Sequence, residues 1–281
     1  MKFLFKFGLV VSVITTSSLV FLILAFLLYF SIPLFDSAIF VGFFTQKWDV
    51  SKSLYGLLPM ILGTIYISVL ATFFATAMSF SLASLSEGFL PKKIATVVEG
   101  IIVLLAGVPT VLYAFVALFL LVPLINIYFF MGKGLSIFTA SFVLAFVVLP
   151  TIYVMMLSAF RGVPKKHIKT SLCLGATKKE VFFSIMLPQA KPALLGAIVF
   201  GFARSVGDTL IALMLSGNSL HMPNTLFDSA RTLTSHIALI NANDYESVAF
   251  KAIFLCALLL FIFTFFVVAT LKYLYKEKRY A

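Results

Sequence analysis

The chain has 281 residues, of which 62% are hydrophobic and 11% are charged, and its formal net charge is +11. Soluble globular domains are about half apolar and about a quarter charged, so this composition excludes a soluble domain and indicates a membrane protein. The positive charge does not indicate nucleic-acid binding, because the lysines and arginines lie between apolar runs long enough to cross a bilayer. We therefore expect membrane lipid, and no nucleic acid, among its partners.

Six apolar runs are long enough to span a membrane. In chain order they cover about residues 7–32, 57–85, 94–122, 135–157, 191–216 and 247–271. Because lipid offers no partner for backbone N–H and C=O groups, spans of this composition must be helices. The first run follows Lys2 and Lys6 and exceeds the apolar core of a signal peptide, so we predict a retained helix; a cleaved secretory signal is the alternative.

Prolines are expected to set several helix ends. Pro33 should end the first helix and Pro123 the third, and Gly107 and Pro109 should kink or break the third helix before that point. Pro150 lies near the predicted cytoplasmic end of the fourth span. We therefore expect the helix of the third span to be the least regular of the six.

The distribution of basic residues predicts the topology. With both chain ends in the cytoplasm, four basic residues fall in external loops: Lys47, Lys52, Lys133 and Arg231. Fifteen fall in cytoplasmic segments: Lys2, Lys6, Lys92, Lys93, Arg161, Lys165, Lys166, Lys169, Lys178, Lys179, Lys191, Lys272, Lys276, Lys278 and Arg279. This excess follows the positive-inside rule. We predict an all-α membrane protein with six transmembrane helices, cytoplasmic termini and one domain, residues 1–281.

The cytoplasmic segment 163–188 is too polar to cross the membrane and too patterned for a plain loop. Its apolar residues recur at helical intervals. Gly175 should separate two short helices, and Thr177 with Glu180 forms a capping-box pattern for the second, which Pro188 should end. Pro192 should then start the fifth span. Either this pair of helices lies on the anionic inner leaflet, or it docks a partner protein.

The fifth span carries two charges near its middle, Arg204 and Asp208. Each costs about 2.5–3.5 kcal/mol at that depth unless it finds a partner or water. Four residues apart on a helix, they should share one face and lie close enough to pair. A ladder of small residues on this helix predicts close packing: Ala193, Ala197, Gly201 and Ser205. The pair is either a packing feature or an anion-binding step on a substrate pathway.

Sequence motifs for nucleotide and metal chemistry are missing. Neither GxxxxGK[ST] nor GxGxxG occurs, and the nearest string, 131–134, fits neither. The three histidines share no metal-ligand spacing, and no nucleophile–base constellation is visible. We expect no enzyme activity and no cofactor on this chain, so that any ATP must be bound by another chain.

The cytoplasmic segment resembles the EAA loop of ABC importer permeases. The match begins at Gly175, continues through nine positions of which Ala176 is the first, and ends with Ile185, one further residue, Leu187 and Pro188. Where the family has Glu-Ala-Ala, this chain has Lys-Thr-Ser at 169–171. The resemblance implies the type I importer architecture, with coupling helices that sit in a groove of an ATPase subunit, and it implies that these five matched residues carry the coupling.

Residues 196–234 resemble the phosphate-specific importer permeases of the PstC type. The core of that resemblance is Gly201-x-x-Arg204-x-x-Gly207-Asp208-Thr209, and weaker similarities extend it over about residues 57–272. The family commonly has glutamate where Asp208 stands. The resemblance implies that Arg204, Asp208 and Thr209 line the substrate pathway.

Together these features predict the permease subunit of an ATP-driven importer of inorganic phosphate in the bacterial cytoplasmic membrane. Its expected partners are a homologous permease, two ATP-binding subunits and an extracytoplasmic phosphate-binding protein. Three alternatives remain at this stage. They are a permease for molybdate or tungstate, an ion-driven secondary transporter, and a non-transporting sensor or assembly subunit.

Overall fold

The computed structural model describes residues 2–35, 42–45, 47–52, 54–129, 134–240 and 247–277. Its helices are α1 (Lys2–Ser31), α2 (Leu58–Ser84), α3 (Lys92–Ala106), α4 (Thr110–Val116), α5 (Val122–Phe129), α6 (Ile137–Arg161), α7 (Lys165–Cys173), α8 (Lys178–Val181), α9 (Leu187–Gly207), α10 (Leu210–Leu215), α11 (Leu233–Leu239) and α12 (Val248–Glu277). Two short antiparallel strands, β1 (Trp48–Asp49) and β2 (Leu54–Tyr55), lie between α1 and α2.

Six helical stretches in the described part of the chain are long and apolar enough to cross a membrane, which confirms the predicted number. They cover Lys6–Leu34, Leu58–Phe89, Thr110–Tyr128, Ile137–Arg161, Lys178–Gly207 and Val248–Thr270. As predicted, α1 ends before Pro33, which lies in a 3-10 turn. Pro150 lies inside α6.

The third span differs from its prediction. The helix does break at the expected place, because α3 ends at Ala106 and α4 begins after Pro109. The spanning stretch is therefore Thr110–Tyr128 and not 94–122, and α3 is a separate helix before it. The phenol of Tyr113 donates to the carbonyl of Leu105 across the break at 2.9 Å, and the same carbonyl accepts from the N–H of Val108 at 3.2 Å.

Pro123 and Pro188 were both predicted to end helices, and both predictions are wrong. Each proline is instead the second residue after a π-helical turn, Ala117–Leu121 or Phe182–Met186, and the helix continues through it. A proline lacks the N–H for an ordinary helical bond, and its ring collides with the carbonyl four residues earlier. A wider turn at that point relieves the collision, which is how the helix passes the proline.

As a result, Pro192 does not start the fifth span. Helical structure runs without interruption from Lys178 to Gly207, so the second half of the cytoplasmic segment and the fifth span form one rod.

The core lies where α2 packs along α6 and α9 crosses both. Small side chains at these contacts, such as Ala71 and Ala75, let the helix axes approach closely. The predicted small-residue ladder is confirmed most clearly at Gly201, where an added methyl group would overlap the side chain of Ile152 on α6. Outside the core, α1 packs on α12, where Phe30 stacks on Phe254 with ring centroids 4.5 Å apart.

Candidate functional site

The predicted fifth span, 191–216, is interrupted where its charged residues lie. Helix α9 ends at Gly207, Asp208 is extended with φ −75° and ψ 124°, and α10 begins at Leu210. The Asp208 carboxylate accepts a 2.9 Å hydrogen bond from the backbone N–H of Ile211, so it caps α10. The prediction of one continuous helix over 191–216 is therefore wrong. An aspartate carboxylate can accept hydrogen bonds from backbone N–H groups in place of the helical carbonyls. Asp208, which follows Gly207, does so here.

The expected ion pair between Arg204 and Asp208 is absent. Among the described residues, ion pairs within 4 Å join Arg161 to Glu87 and Glu99 and Lys52 to Asp49, and none includes Arg204. The i, i+4 spacing places two residues on one face only while the helix continues, and this helix ends between them. Arg204 lies exposed in the last turn of α9, whereas Asp208 is half-buried.

Thr209 occupies the N-cap position of α10, and its carbonyl accepts from the N–H of Leu213 at 2.8 Å. The structure thus brings all three predicted pathway residues to one interruption, with Arg204 on one side and Asp208 and Thr209 within it. Helix α10 packs against α4, which itself follows the break at 107–109. The two interrupted spans therefore meet just beyond their breaks.

Residues 217–240 of the predicted external loop fold back over this interruption. The Thr234 hydroxyl donates to the carbonyl of Asp208 at 3.1 Å, and the N–H of Leu233 donates to the hydroxyl of Thr64 on α2 at 2.9 Å. Helix α11 was not predicted, although its capping box, Thr232 with Ser235, is visible in the sequence. Ser235 is a weaker signal than the glutamate or glutamine usual at that position.

A second arginine, Arg231, lies in this predicted external segment. Its Nε donates to the carbonyl of Asn218 at 3.1 Å, and its Nη1 lies 3.4 Å from Nδ1 of His236. His236 is fully buried, and burial together with the charge of Arg231 lowers its pKa to about 3. The imidazole is therefore neutral at physiological pH and accepts at Nδ1, which places its proton on Nε2.

The cytoplasmic segment has the predicted organisation. Gly175 separates α7 from α8 with φ +88°, a conformation that glycine adopts without strain. The capping box is confirmed, since Thr177 Oγ1 accepts from the N–H of Glu180 and the carboxylate accepts from the N–H of Thr177. Leu174 beside the turn is 83% exposed, which makes this tip an apolar surface on a basic segment.

The five residues implied in coupling do not all lie at that tip. Gly175 is exposed there, whereas Ala176 and Leu187 are partly buried against the core. Ile185 belongs to the π turn, and Pro188 is exposed one residue beyond Leu187. The tip and the start of α9 are therefore two parts of one segment, joined by α8 and the π turn.

An ionic cluster that the sequence did not reveal lies beside this segment. Arg161, at the end of α6, binds Glu99 on α3 and Glu87 in the turn after α2. These partners are 62 and 74 residues away, so no local pattern could indicate them. In the same region Phe182 of the π turn packs so closely on Gly88 that a methyl group there would lie 2.9 Å from its ring.

No group of three histidine, cysteine, aspartate or glutamate side chains that could hold a metal ion occurs within the described ranges.

Known proteins resemble this chain over most of its length. It is 31% identical over 236 residues to the probable ABC transporter permease protein YqgH of Bacillus subtilis, covering 83% of this chain and 76% of that protein. It is also 31% identical over 245 residues to the phosphate transport system permease protein PstC of Xylella fastidiosa (strain Temecula1), covering 79% of this chain and 74% of that protein.

Solved structures show the fold. The inward-facing MetNI methionine ABC transporter aligns with a TM-score of 0.61 at 17% identity over 78% of this chain and 95% of that chain. A bacterial ABC transporter for the import of alginate aligns with a TM-score of 0.60 at 16% identity over 96% of this chain and 98% of that chain. The predicted fold of a type I ABC importer permease is therefore confirmed.

The family described as binding-protein-dependent transport system inner membrane component matches residues 79–279. The six spans, the interrupted fifth helix and the cytoplasmic segment are thus parts of a transport permease in a multi-pass membrane protein. The chain belongs to the family of binding-protein-dependent transport system inner membrane components.

Proposed function

We propose that this chain is the permease subunit of an ATP-driven importer of inorganic phosphate. The observation that carries the proposal is Arg204, an exposed cation that has no ion pair within the described part of the chain and lies beside a break in a membrane helix. Relatives about 30% identical are phosphate transport system permeases, and they supply the identity of the anion.

The local geometry suits passage of a small anion. Phosphate at neutral pH carries one to two negative charges, so its pathway needs a cationic donor that binds it without trapping it. Asp208 caps α10 and forms no ion pair with Arg204 within 4 Å, so the Arg204 guanidinium is left to bind a passing anion. The aspartate still lies nearby as a negative charge, which weakens the hold on a bound anion. We assign Arg204, Asp208 and Thr209 to the substrate pathway.

The break itself supports this assignment. Non-helical backbone at membrane depth is tolerated only where protein or a water-filled cavity surrounds it. Here Thr234 covers the carbonyl of Asp208 from the external side, while Arg204 remains exposed on the preceding turn. In the assembled transporter that exposed side would face the pathway shared with a homologous permease.

We further propose that ATP-binding subunits dock on the cytoplasmic segment 163–188. The tip at Gly175 would contact the ATPase, and the rod from Lys178 to Gly207 would carry its displacement to Arg204. Ala176, Ile185, Leu187 and Pro188 would hold the tip on that rod. Two such subunits would bind the ATP, since this chain carries no cofactor motif.

The full assembly would also contain an extracytoplasmic phosphate-binding protein, in a bacterial cytoplasmic membrane with both ends of this chain inside. The solved alginate ABC transporter was crystallised with its periplasmic protein, which supports a partner of this kind. The charge distribution of the sequence supports the orientation.

Labelled phosphate uptake in cells with and without this gene tests the proposal, with excess molybdate, tungstate or sulfate as competitors. We expect gene-dependent uptake that these competitors leave unchanged and that Arg204→Ala abolishes while the complex still assembles. Uptake blocked by tungstate or molybdate would mean that one of these anions is the substrate, while the proposed coupling to the ATP-binding subunits would stand. No gene-dependent uptake of any oxyanion, with all partner subunits present, would favour a sensor or assembly subunit. Normal uptake by Arg204→Ala would reduce that arginine to a packing residue.

A further inference from the structure

Arg231 is half-buried, and it has no carboxylate partner among the described residues. Over the described ranges no acidic side chain lies within 4 Å of its guanidinium. Burial lowers its pKa from the ordinary value, yet an arginine stays charged at any physiological pH. A charge withdrawn from water and left without a counter-charge is costly, so it needs a functional or structural reason.

The neighbours of Arg231 orient it and do not neutralise it. Its Nε is fixed by the carbonyl of Asn218 and its Nη1 by neutral His236. Asn218 itself adopts a left-handed backbone conformation after Gly217, with φ values of 51° and 79°. Two contacts of this kind define the plane of the guanidinium, while its remaining N–H groups stay available to another acceptor.

The surroundings hold further polar atoms without partners. Within the described part of the chain, buried side-chain atoms that lack a hydrogen bond include Ser216 Oγ and His236 Nε2. Both residues are fully buried; Ser216 directly follows α10, and His236 lies in α11. A hydroxyl and an imidazole N–H can each donate a hydrogen bond to an anionic oxygen.

Arg231 is also linked to the pathway proposed above. Its own backbone carbonyl packs against Gly63 on α2 so closely that no side chain fits there. Three residues later, Thr234 binds the carbonyl of Asp208. Arg231 is therefore held on the predicted external side of the interruption, and Arg204 lies on the opposite side of it.

We infer that Arg231 is a second anion-binding residue, which receives an oxyanion such as phosphate on the external side before the anion reaches Arg204. This inference rests on the proposed transport function. A tetrahedral oxyanion can accept two parallel N–H bonds from one guanidinium, which an ammonium group cannot offer with the same geometry. Two cations in sequence allow the anion to pass from one to the next without becoming trapped at either.

The test uses the complete transporter in proteoliposomes, with its partner permease, ATP-binding subunits and external binding protein. We measure phosphate transported per ATP hydrolysed for wild type, Arg231→Lys and Arg231→Gln. Loss of a hydrogen bond to a charged group is worth roughly tenfold or more, so Arg231→Gln should lower this ratio about tenfold. Arg231→Lys keeps the charge and should fall between the two.

A structural role predicts a different pattern. If Arg231 only bridges Asn218 and His236, lysine cannot replace it, because an ammonium group lacks the planar set of N–H donors of a guanidinium. The Arg231→Lys and Arg231→Gln variants should then be equally impaired in ATP hydrolysis and in transport. That outcome overturns the inference. Lys47→Gln serves as the matched control, because it removes an exposed positive charge from another predicted external loop and should leave the ratio unchanged. If wild type transports phosphate and Arg231→Gln does so normally, only this inference fails. If wild type transports none, the proposed function fails.

The wild-type complex gives a second readout that does not depend on variants that fold. Phenylglyoxal added from outside modifies accessible arginines, and mass spectrometry quantifies the peptide that carries Arg231. Phosphate should slow this modification at least severalfold, whereas chloride at equal ionic strength should not. An unchanged rate with phosphate present would contradict anion binding at Arg231.

Discussion

Arg161 binds Glu99 through two parallel hydrogen bonds, 3.1 Å from Nη1 and 2.9 Å from Nη2. Its Nε donates to Glu87 at 3.1 Å, so one guanidinium joins the end of α6 to α3 and to the turn after α2. Arg161 also immediately precedes the cytoplasmic segment. One side chain therefore links α6, α3 and the turn after α2 two residues before that segment begins.

We predict that Arg161→Gln uncouples the transporter more than it destabilises it. The pair is partly exposed to solvent, so its loss should lower the free energy of unfolding by only about 1 kcal/mol. Phosphate uptake per ATP should fall severalfold, because α6 would no longer carry α3 with it. Uptake and ATP hydrolysis in proteoliposomes measure this, and Lys165→Gln, which alters an unpaired charge nearby, is the control. Equal losses of both activities would contradict a coupling role.

A second prediction concerns the contact between Gly201 and Ile152. Gly201→Ala should destabilise the protein by about 1–3 kcal/mol, because the added methyl group overlaps the Ile152 side chain in the core. Ile152→Ala in the same chain should recover part of the loss. Thermal unfolding in detergent measures both changes.

The control for that series is Gly100→Ala on α3, where nothing lies within 4 Å of the new methyl group. This variant should be as stable as wild type or slightly more stable, since alanine favours the helix by about 1 kcal/mol over glycine. If Gly201→Ala behaves like Gly100→Ala, the close approach of α9 and α6 is not needed for stability.

A third prediction concerns the turn at Gly175. A side chain there has open space but must adopt φ +88°, which costs an L-residue about 1–2 kcal/mol. Gly175→Pro cannot adopt this φ at all, so the permease should fold but no longer co-purify with the ATP-binding subunit. Leu187→Asp should have the same effect, because it places a charge against the core. Gly175→Asn, which tolerates a left-handed turn, should retain binding. Co-purification of the proline variant would remove the docking assignment.

Some features of the fold could be predicted from short-range sequence patterns alone. Gly175, the Thr177 capping box and the break at Pro109 were predictable because each depends on residues a few positions apart. The failures have one cause in common, which is the assumption that helix geometry is uniform. Pro188 is absorbed by a π turn, and Asp208 takes a backbone donor after Gly207, so spacing along an ideal helix no longer predicts which residues meet.

Contacts between distant segments could not be predicted from the sequence, for a different reason. The Arg161 cluster and the bond from Thr234 to Asp208 join residues 26 to 74 positions apart. One sequence carries no periodicity at such separations. The charges of Arg161 and Arg231 were counted for topology, and their partners became visible only in three dimensions.

The last prediction is a loss of stability in mild acid that originates at His236. Its pKa of about 3 in the folded protein lies below the value near 6.5 of an unfolded chain, because burial and the charge of Arg231 oppose protonation. Below about pH 6.5 the unfolded state therefore binds a proton that the folded state does not. Stability from this residue is complete above that pH and falls by up to about 1.4 kcal/mol per pH unit below it. His236→Gln has no such proton, so its midpoint of thermal unfolding should change less than that of wild type between pH 7 and pH 5. Parallel pH profiles for the two proteins would show that His236 is not held neutral by Arg231 and its burial.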